Sequence, residues 1–220
     1  MTITLYYFPT PNGRKISIAL EEMGLPYRLA FVNIFAGEGT APPFLAISPN
    51  GRIPALVDAV PGEEPVTIFE SGAILQYLGR KTGLFYPLES EARRAEVDAW
   101  LMWQMAGLGP MTGQISWFRR AAQKPGRDPA ETSLAIHRYV KEVTRLYGVL
   151  DRRLAGRDHI CGDYSIADMA CWPWVTQHGD YVGVGNFPNV AAWQSRIAAR
   201  PGVQRGVEVG VDLVPADLRR

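Results

Sequence analysis

The sequence predicts an α/β domain of order βαβ, a short helix and ββα, followed by an all-α domain. Three observations carry this reading. Runs of β-branched and aromatic residues are confined to residues 2–69, Gly/Pro/Asn clusters punctuate them, and beyond residue 84 only helical periodicity remains.

The first strand is TITLYYF (2–8), rich in the side chains that fit a pleated surface. Ile16, Ala19, Leu20 and Met23 then recur at helical spacing, and Gly24 followed by Pro26 ends the helix. YRLAFVN (27–33) supplies a second strand, and so short a strand, helix, strand crossover implies a parallel pair. A polar, Gly-rich stretch leads to a short helix over Phe44–Ile47. IPALVDA and VTIFE, separated by VPGEEP, form a hairpin. From Ser71, the apolar positions Ile74, Leu75 and Leu78 mark a helix closed at Thr82-Gly83.

After GLFYPLES, Ala99, Trp100, Trp103 and Met105 mark one helix. Ile136, Tyr139, Val140, Val143, Leu146, Tyr147, Leu150 and Leu154 stripe another. WQMAGLGPM is expected to kink a helix near Gln104, and KPGRDP (124–129) is a loop. YSIADMA (164–170) starts a further helix with an S-x-x-D capping box, Ser165 and Asp168, whose value is to folding. The expected domains are 1–83 and 91–220, joined by a linker at 84–90.

Composition limits the partners. With 220 residues, 47% of them hydrophobic, the chain can bury a sizeable core. A net charge of +1 gives no electrostatic reason to expect nucleic acid or a membrane surface. No signal-peptide pattern or bilayer-length apolar run is read, so the expectation is a soluble, cytoplasmic protein. Cys161 and Cys171 are read as small buried or half-buried thiols, and His137, His159 and His178 lack metal-ligand spacing, so no metal is expected.

Three stretches carry candidate chemistry. Thr10 and Asn12 fall where the first strand hands over to its helix, where unpaired N–H groups and the helix dipole stabilise an anion and lower a thiol's pKa. They are equally ordinary cap and turn residues. Ile53-Pro54 marks an edge or a special turn and leaves the Ile53 backbone to pair with an extended peptide. Glu70 and Ser71, at a strand-to-helix junction, offer an acceptor for an amine and donors for a carboxylate; the plainer reading is a helix cap. Trp117, Phe118, Trp172, Trp174 and His178 line a co-substrate pocket or form helical core and interface.

In the order PTPNGRKI, ISPNGRIPALVD, FESGAILQYL, GLGPM and YSIADMACWPW, the sequence resembles the cytosolic glutathione transferase superfamily. Within it, the resemblance is greatest to the bacterial nu class of glutathione-dependent disulfide-bond oxidoreductases. The resemblance covers nearly the whole chain. It implies a thioredoxin-like N-terminal domain, a helical C-terminal domain, a homodimer, and glutathione as cosubstrate in a cleft between domains. By the same resemblance Thr10 and Asn12 are the catalytic pair facing the glutathione sulfur. Ile53 pairs with the cysteinyl unit, Glu70 and Ser71 hold the γ-glutamyl end, and Arg138 reaches the ligand from its helix. Arg52 assists the glycyl carboxylate. The segment GTAPPFLAISP departs from the family pattern, placing Thr40 where a glutamine or similar residue meets the glycyl end.

Three functions remain open on these residues: reduction of a small-molecule disulfide by bound glutathione, attack of the same thiolate on an electrophile or hydroperoxide, and non-catalytic glutathione binding. Tyr6 and Tyr7 are alternative thiol partners for the second.

Overall fold

The computed structural model describes residues 2–126 and 128–218, so Arg127 of the expected KPGRDP loop lies outside the described residues. Two compact units emerge. One is Met1–Glu89 together with Ala198–Arg220, the other Ser90–Ile197.

The first unit is built on a four-stranded sheet of order β2-β1-β3-β4. β1 (Thr2–Tyr7) runs parallel to β2 (Tyr27–Phe31) and antiparallel to β3 (Ala55–Ala59), which pairs antiparallel with β4 (Val66–Phe69). α1 (Pro11–Glu22) makes the crossover, α2 (Pro42–Leu45) is the short intervening helix, and α3 (Ser71–Thr82) follows β4. Alternation along β1 sends Ile3, Leu5 and Tyr7 to a fully covered face, where Tyr7 meets α1 at Gly13. Tyr6, pointing the other way, packs against Phe44 of α2 with ring centroids 6.0 Å apart.

Asp58 ties the sheet to α3. It is 1% exposed, accepts from the Tyr77 hydroxyl at 2.7 Å and pairs with Lys81 at 2.7 Å. Burial pushes this carboxyl up, but Lys81 and Tyr77 together hold it below the usual carboxylate range.

The end of the chain belongs with its beginning. The sequence reading assigned all of 91–220 to the helical domain, whereas α9 (Pro201–Glu208) packs along α1. Gly206 makes the close approach possible: a Cβ there would stand 2.6 Å from Ile18 Cα, and its carbonyl accepts from Ser17 Oγ at 2.6 Å. Arg200 adds a two-point ion pair with Glu22 at 2.9 and 2.8 Å. Beyond α9, Val214 and Leu218 pack on the far face of the sheet with Phe8, Val32, Phe44 and Ile53. Nothing in local periodicity announces that return, because it is fixed by contacts almost the whole chain length apart.

The second unit is helical. α4 (Glu91–Trp103), α5 (Gly109–Ala122), α6 (Pro129–Leu154), α7 (Ile166–His178) and α8 (Pro188–Ala198) follow in order. At the stretch expected to kink, Gln104–Leu108 forms a π-helical turn that leads directly into α5. Gln104 is 1% exposed and packs within a few ångströms of Gly109. Pro110 enters at the first turn of α5, where its missing N–H breaks little. The expected capping box is present: Asp168 accepts the Ser165 N–H, and also those of Ile160 and the Trp193 indole, at 2.9–3.0 Å. Among the described residues no helix is long and apolar enough to cross a membrane.

Candidate functional site

Thr10 is the N-cap of α1. Its backbone is extended (φ −92°, ψ 166°), and its Oγ1 accepts the Gly13 N–H at 3.3 Å. Because that oxygen is the acceptor, the hydroxyl hydrogen remains to be donated elsewhere. Pro11 follows in the first turn without an N–H, and Asn12, half-buried beside it, places an amide on the same turn. A hydroxyl, an amide and a helix N-terminus therefore converge on residues 10–12, a donor set suited to a thiolate.

The two tyrosines occupy other positions. Tyr7 is fully buried, its ring lying close to both Gly13 and Gly210. Burial pushes its phenol up, against the opposing influence of Ser17 and Arg14. Its hydroxyl thus sits in the layer between sheet and helix. Tyr6, on the opposite face of β1, is engaged with Phe44.

Ile53 is buried, and the Ile53–Pro54 peptide is cis. Arg52 is exposed, and its loop is pinned by Ser48, whose hydroxyl donates to the Arg52 carbonyl at 2.8 Å. The neighbouring glycine loops nearly touch, since a Cβ on Gly39 would come 2.9 Å from the Gly51 carbonyl oxygen. Thr40 closes the short 3-10 turn Glu38–Thr40 and is exposed. Its hydroxyl donates to the Gly37 carbonyl at 2.8 Å, so its hydrogen is committed locally.

Glu70 stands at the N-cap of α3 with φ 72°, a conformation costing a non-glycine residue about 1–3 kcal/mol. Its carboxylate makes no capping bond and is exposed, so it is presented outward. Ser71, by contrast, is 5% exposed and opens the helix. Sequence reasoning missed Lys15. It is 1% exposed, and its Nζ donates to Ser71 Oγ at 3.3 Å. A lysine in an apolar helical stripe reads as a snorkelling surface residue, so only the heptad-independent contact with residue 71 reveals it.

In the second unit, Arg138 is exposed on α6, one turn before Glu142. Trp172 is core, 5% exposed with its indole N–H donating to the Gln194 carbonyl at 2.9 Å, while Trp117 is 54% exposed. His178 stacks on Tyr181 at 5.0 Å and lies 5.6 Å from Trp174, and Arg119 covers the other ring partner, Tyr181, at 4.1 Å. Burial pushes His178 down to about 4 from its ordinary 6.5, with Arg120 adding to the shift and Asp180 opposing it. Between those values the unfolded chain takes a proton that the folded protein refuses, so stability falls as pH drops from 6.5 towards 4. In urea titrations over that range, His178→Phe is expected to lose stability with a shallower slope than the wild type; equal slopes would refute the assignment.

The protein's own thiols are poor nucleophiles. Cys161 is pushed up to about 12, chiefly by burial and then by Asp168 and Glu96, and Cys171 is fully buried. Among the described residues no group of three or more His, Cys, Asp or Glu is arranged to hold a metal ion.

Comparison with known proteins adds four findings. Residues 1–80 match the family model "Glutathione S-transferase, N-terminal domain" and residues 124–201 match "Glutathione S-transferase, C-terminal domain". Over 203 residues the chain is 48% identical to disulfide-bond oxidoreductase YfcG of Escherichia coli (strain K12), spanning 90% of this chain and 91% of that one. It superposes with a TM-score of 0.85 on a glutathione transferase family member from Pseudomonas fluorescens with two glutathione bound, at 44% identity and covering 94% and 92% of the two chains. A glutathione transferase from Pseudomonas putida, with one glutathione disulfide bound per subunit, gives 0.85 at 40% identity, covering 94% and 91%.

Proposed function

This chain belongs to the glutathione S-transferase family, and from that premise we propose that it is a glutathione-dependent disulfide-bond oxidoreductase of the nu class. The observation that carries the reading is the donor set at residues 10–12 in a unit that contains no cysteine. With Cys161 and Cys171 unsuited to attack, the thiolate must come from a cosubstrate. Glutathione supplies thiol–disulfide exchange: its sulfur bonds to one sulfur of the substrate disulfide, the other leaves as a thiolate that takes up a proton, and a second glutathione thiolate attacks the glutathione sulfur of the mixed disulfide, giving glutathione disulfide and releasing the second substrate thiol.

The chain's residues hold that reagent and keep it ionised. Thr10 and Asn12 donate to the sulfur, lowering its pKa, and the start of α1 adds its partial positive charge. The Ile53 backbone pairs with the cysteinyl unit. Glu70 accepts from the γ-glutamyl amine, and Ser71 with the first N–H groups of α3 receives its carboxylate. Arg52 supplies cationic reach to the remaining carboxylate, and Thr40, with its hydrogen already donated, contributes little. The positions of Tyr6 and Tyr7 weigh against tyrosine-assisted conjugation.

The finer assignments extend this reading. Exposed Val66 and Phe69 on the edge strand β4 offer apolar surface to a second copy, supporting a homodimer. Two free thiols suit the reducing cytoplasm. Millimolar glutathione is expected to raise the melting temperature of the wild type, and the loaded protein to reduce bis(hydroxyethyl) disulfide far faster than it conjugates chlorodinitrobenzene. No thermal shift would remove the binding assignment, and faster conjugation would exchange the reaction for a transferase one.

A further inference from the structure

The loop that follows β2 holds an aromatic ring out in solvent. Phe35 is 62% exposed, a placement that forgoes the burial an aromatic side chain ordinarily gains. Local hydrogen bonds keep it there. Asn33 Oδ1 accepts the Phe35 and Ala36 N–H groups at 3.1 and 3.2 Å, the Asn33 N–H donates to the Glu38 carboxylate at 2.6 Å, and the Glu38 N–H donates back to the Asn33 carbonyl at 3.2 Å. A ring carried on so fixed a loop has little freedom left to lose when something packs on it.

That loop leaves the sheet beside the entrance to α1. β1 and β2 are parallel, with Tyr7 opposite Phe31 and the Val32 N–H donating to the Tyr7 carbonyl at 2.8 Å, so both strands deliver their chains to one edge. Phe8 connects the two. Its ring centroid lies 5.2 Å from that of Phe31 and 5.5 Å from that of Phe35, its carbonyl accepts the Thr10 N–H at 2.7 Å, and its side chain belongs to one core cluster with Ile53. The exposed ring is thus backed by the residue that joins Thr10 to Ile53. We propose that Phe35 is a specificity-determining residue whose outer face packs against one organic arm of the substrate disulfide, so that the site prefers disulfides bearing an aryl or bulky alkyl group. This rests on the disulfide-reduction reading above, which puts the reacting sulfurs at Thr10 and Asn12. An apolar arm gains by leaving water for the ring, whereas a hydroxyl-bearing arm gives up hydrogen bonds that the ring cannot replace.

The test compares bis(hydroxyethyl) disulfide with benzyl 2-hydroxyethyl disulfide, which replaces one hydroxymethyl group by phenyl, each assayed with glutathione after subtraction of the uncatalysed rate. The kcat/KM of the wild type is expected to favour the benzyl compound about tenfold, the scale of one well-packed aromatic contact. Phe35→Ala should remove most of that preference through a higher KM for the benzyl compound, and Phe35→Leu should keep part of it. Because the position is exposed, both variants should fold, and glutathione should raise the melting temperature equally in all three proteins. A wild type without the preference, or a Phe35→Ala protein that keeps it, overturns the role of Phe35. So does loss of the glutathione-induced rise in Phe35→Ala, which would set the ring against the cosubstrate instead. A wild type that neither gains stability from glutathione nor reduces either disulfide overturns the parent reading with it.

Discussion

Removing both the Thr10 hydroxyl and the Asn12 amide is expected to cut glutathione-dependent disulfide reduction about a hundredfold, or ~3 kcal/mol of thiolate stabilisation. In the proposed mechanism each group donates to an ionised sulfur, and such bonds are the strong ones. The two losses differ in kind. Thr10 also accepts the Gly13 N–H as the cap of α1, so Thr10→Ala should additionally cost about 1 kcal/mol of stability. Thr10→Ser keeps cap and donor and should retain most activity. Steady-state kinetics with bis(hydroxyethyl) disulfide, alongside the pH dependence of the rate, separates these contributions: the double variant should shift the thiol's apparent pKa upward. Turnover near the wild-type value in a folded double variant would sink the catalytic role of both residues.

Gly13→Ala is expected to lower the melting temperature by about 10 °C, corresponding to ~3 kcal/mol or more of overpacking. The added Cβ would stand 2.2 Å from the Phe8 carbonyl oxygen and 2.9 Å from Tyr7 Cε2. Neither neighbour yields easily. The Phe8 carbonyl accepts the Thr10 N–H at 2.7 Å, and Tyr7 is closed in from the other side near Gly210. Whatever relaxation occurs must therefore move residues 8–12, and glutathione affinity should fall with stability. Gly113→Ala is the control, since its Cβ would meet only Trp174 at an ordinary 3.5 Å and would favour the helix by about 0.5–1 kcal/mol. Differential scanning calorimetry of the pair decides it; a Gly13→Ala protein as stable as the control would contradict the packing.

What could be read from residue order was the local part. The Thr10 cap, the Ser165–Asp168 box and the Gly83 helix stop each depend on bonds spanning a few residues, so their residue types announce them. The β-branched and aromatic content of TITLYYF announced a strand, but it could not say that Tyr7 would face the helices while Tyr6 met Phe44. GLGP looked like an interruption, and the structure puts a π turn there, running on into α5. Lys15 escaped notice because its partner lies 56 residues away, and Thr40 looked available until its hydroxyl was found bonded to Gly37. The distant contacts carry the chemistry here, and periodicity does not encode them.

The return of α9 and residues 209–218 to the first unit has a consequence for biosynthesis. As the ribosome releases the nascent chain, residues 90–197 form one contiguous stretch, whereas residues 2–89 must wait for residues 198–208 to emerge before Gly206 can seat on Ile18. A stop codon just before α9 would thus spare every residue of the helical unit and strip the amino-terminal one, already synthesised, of its last helix.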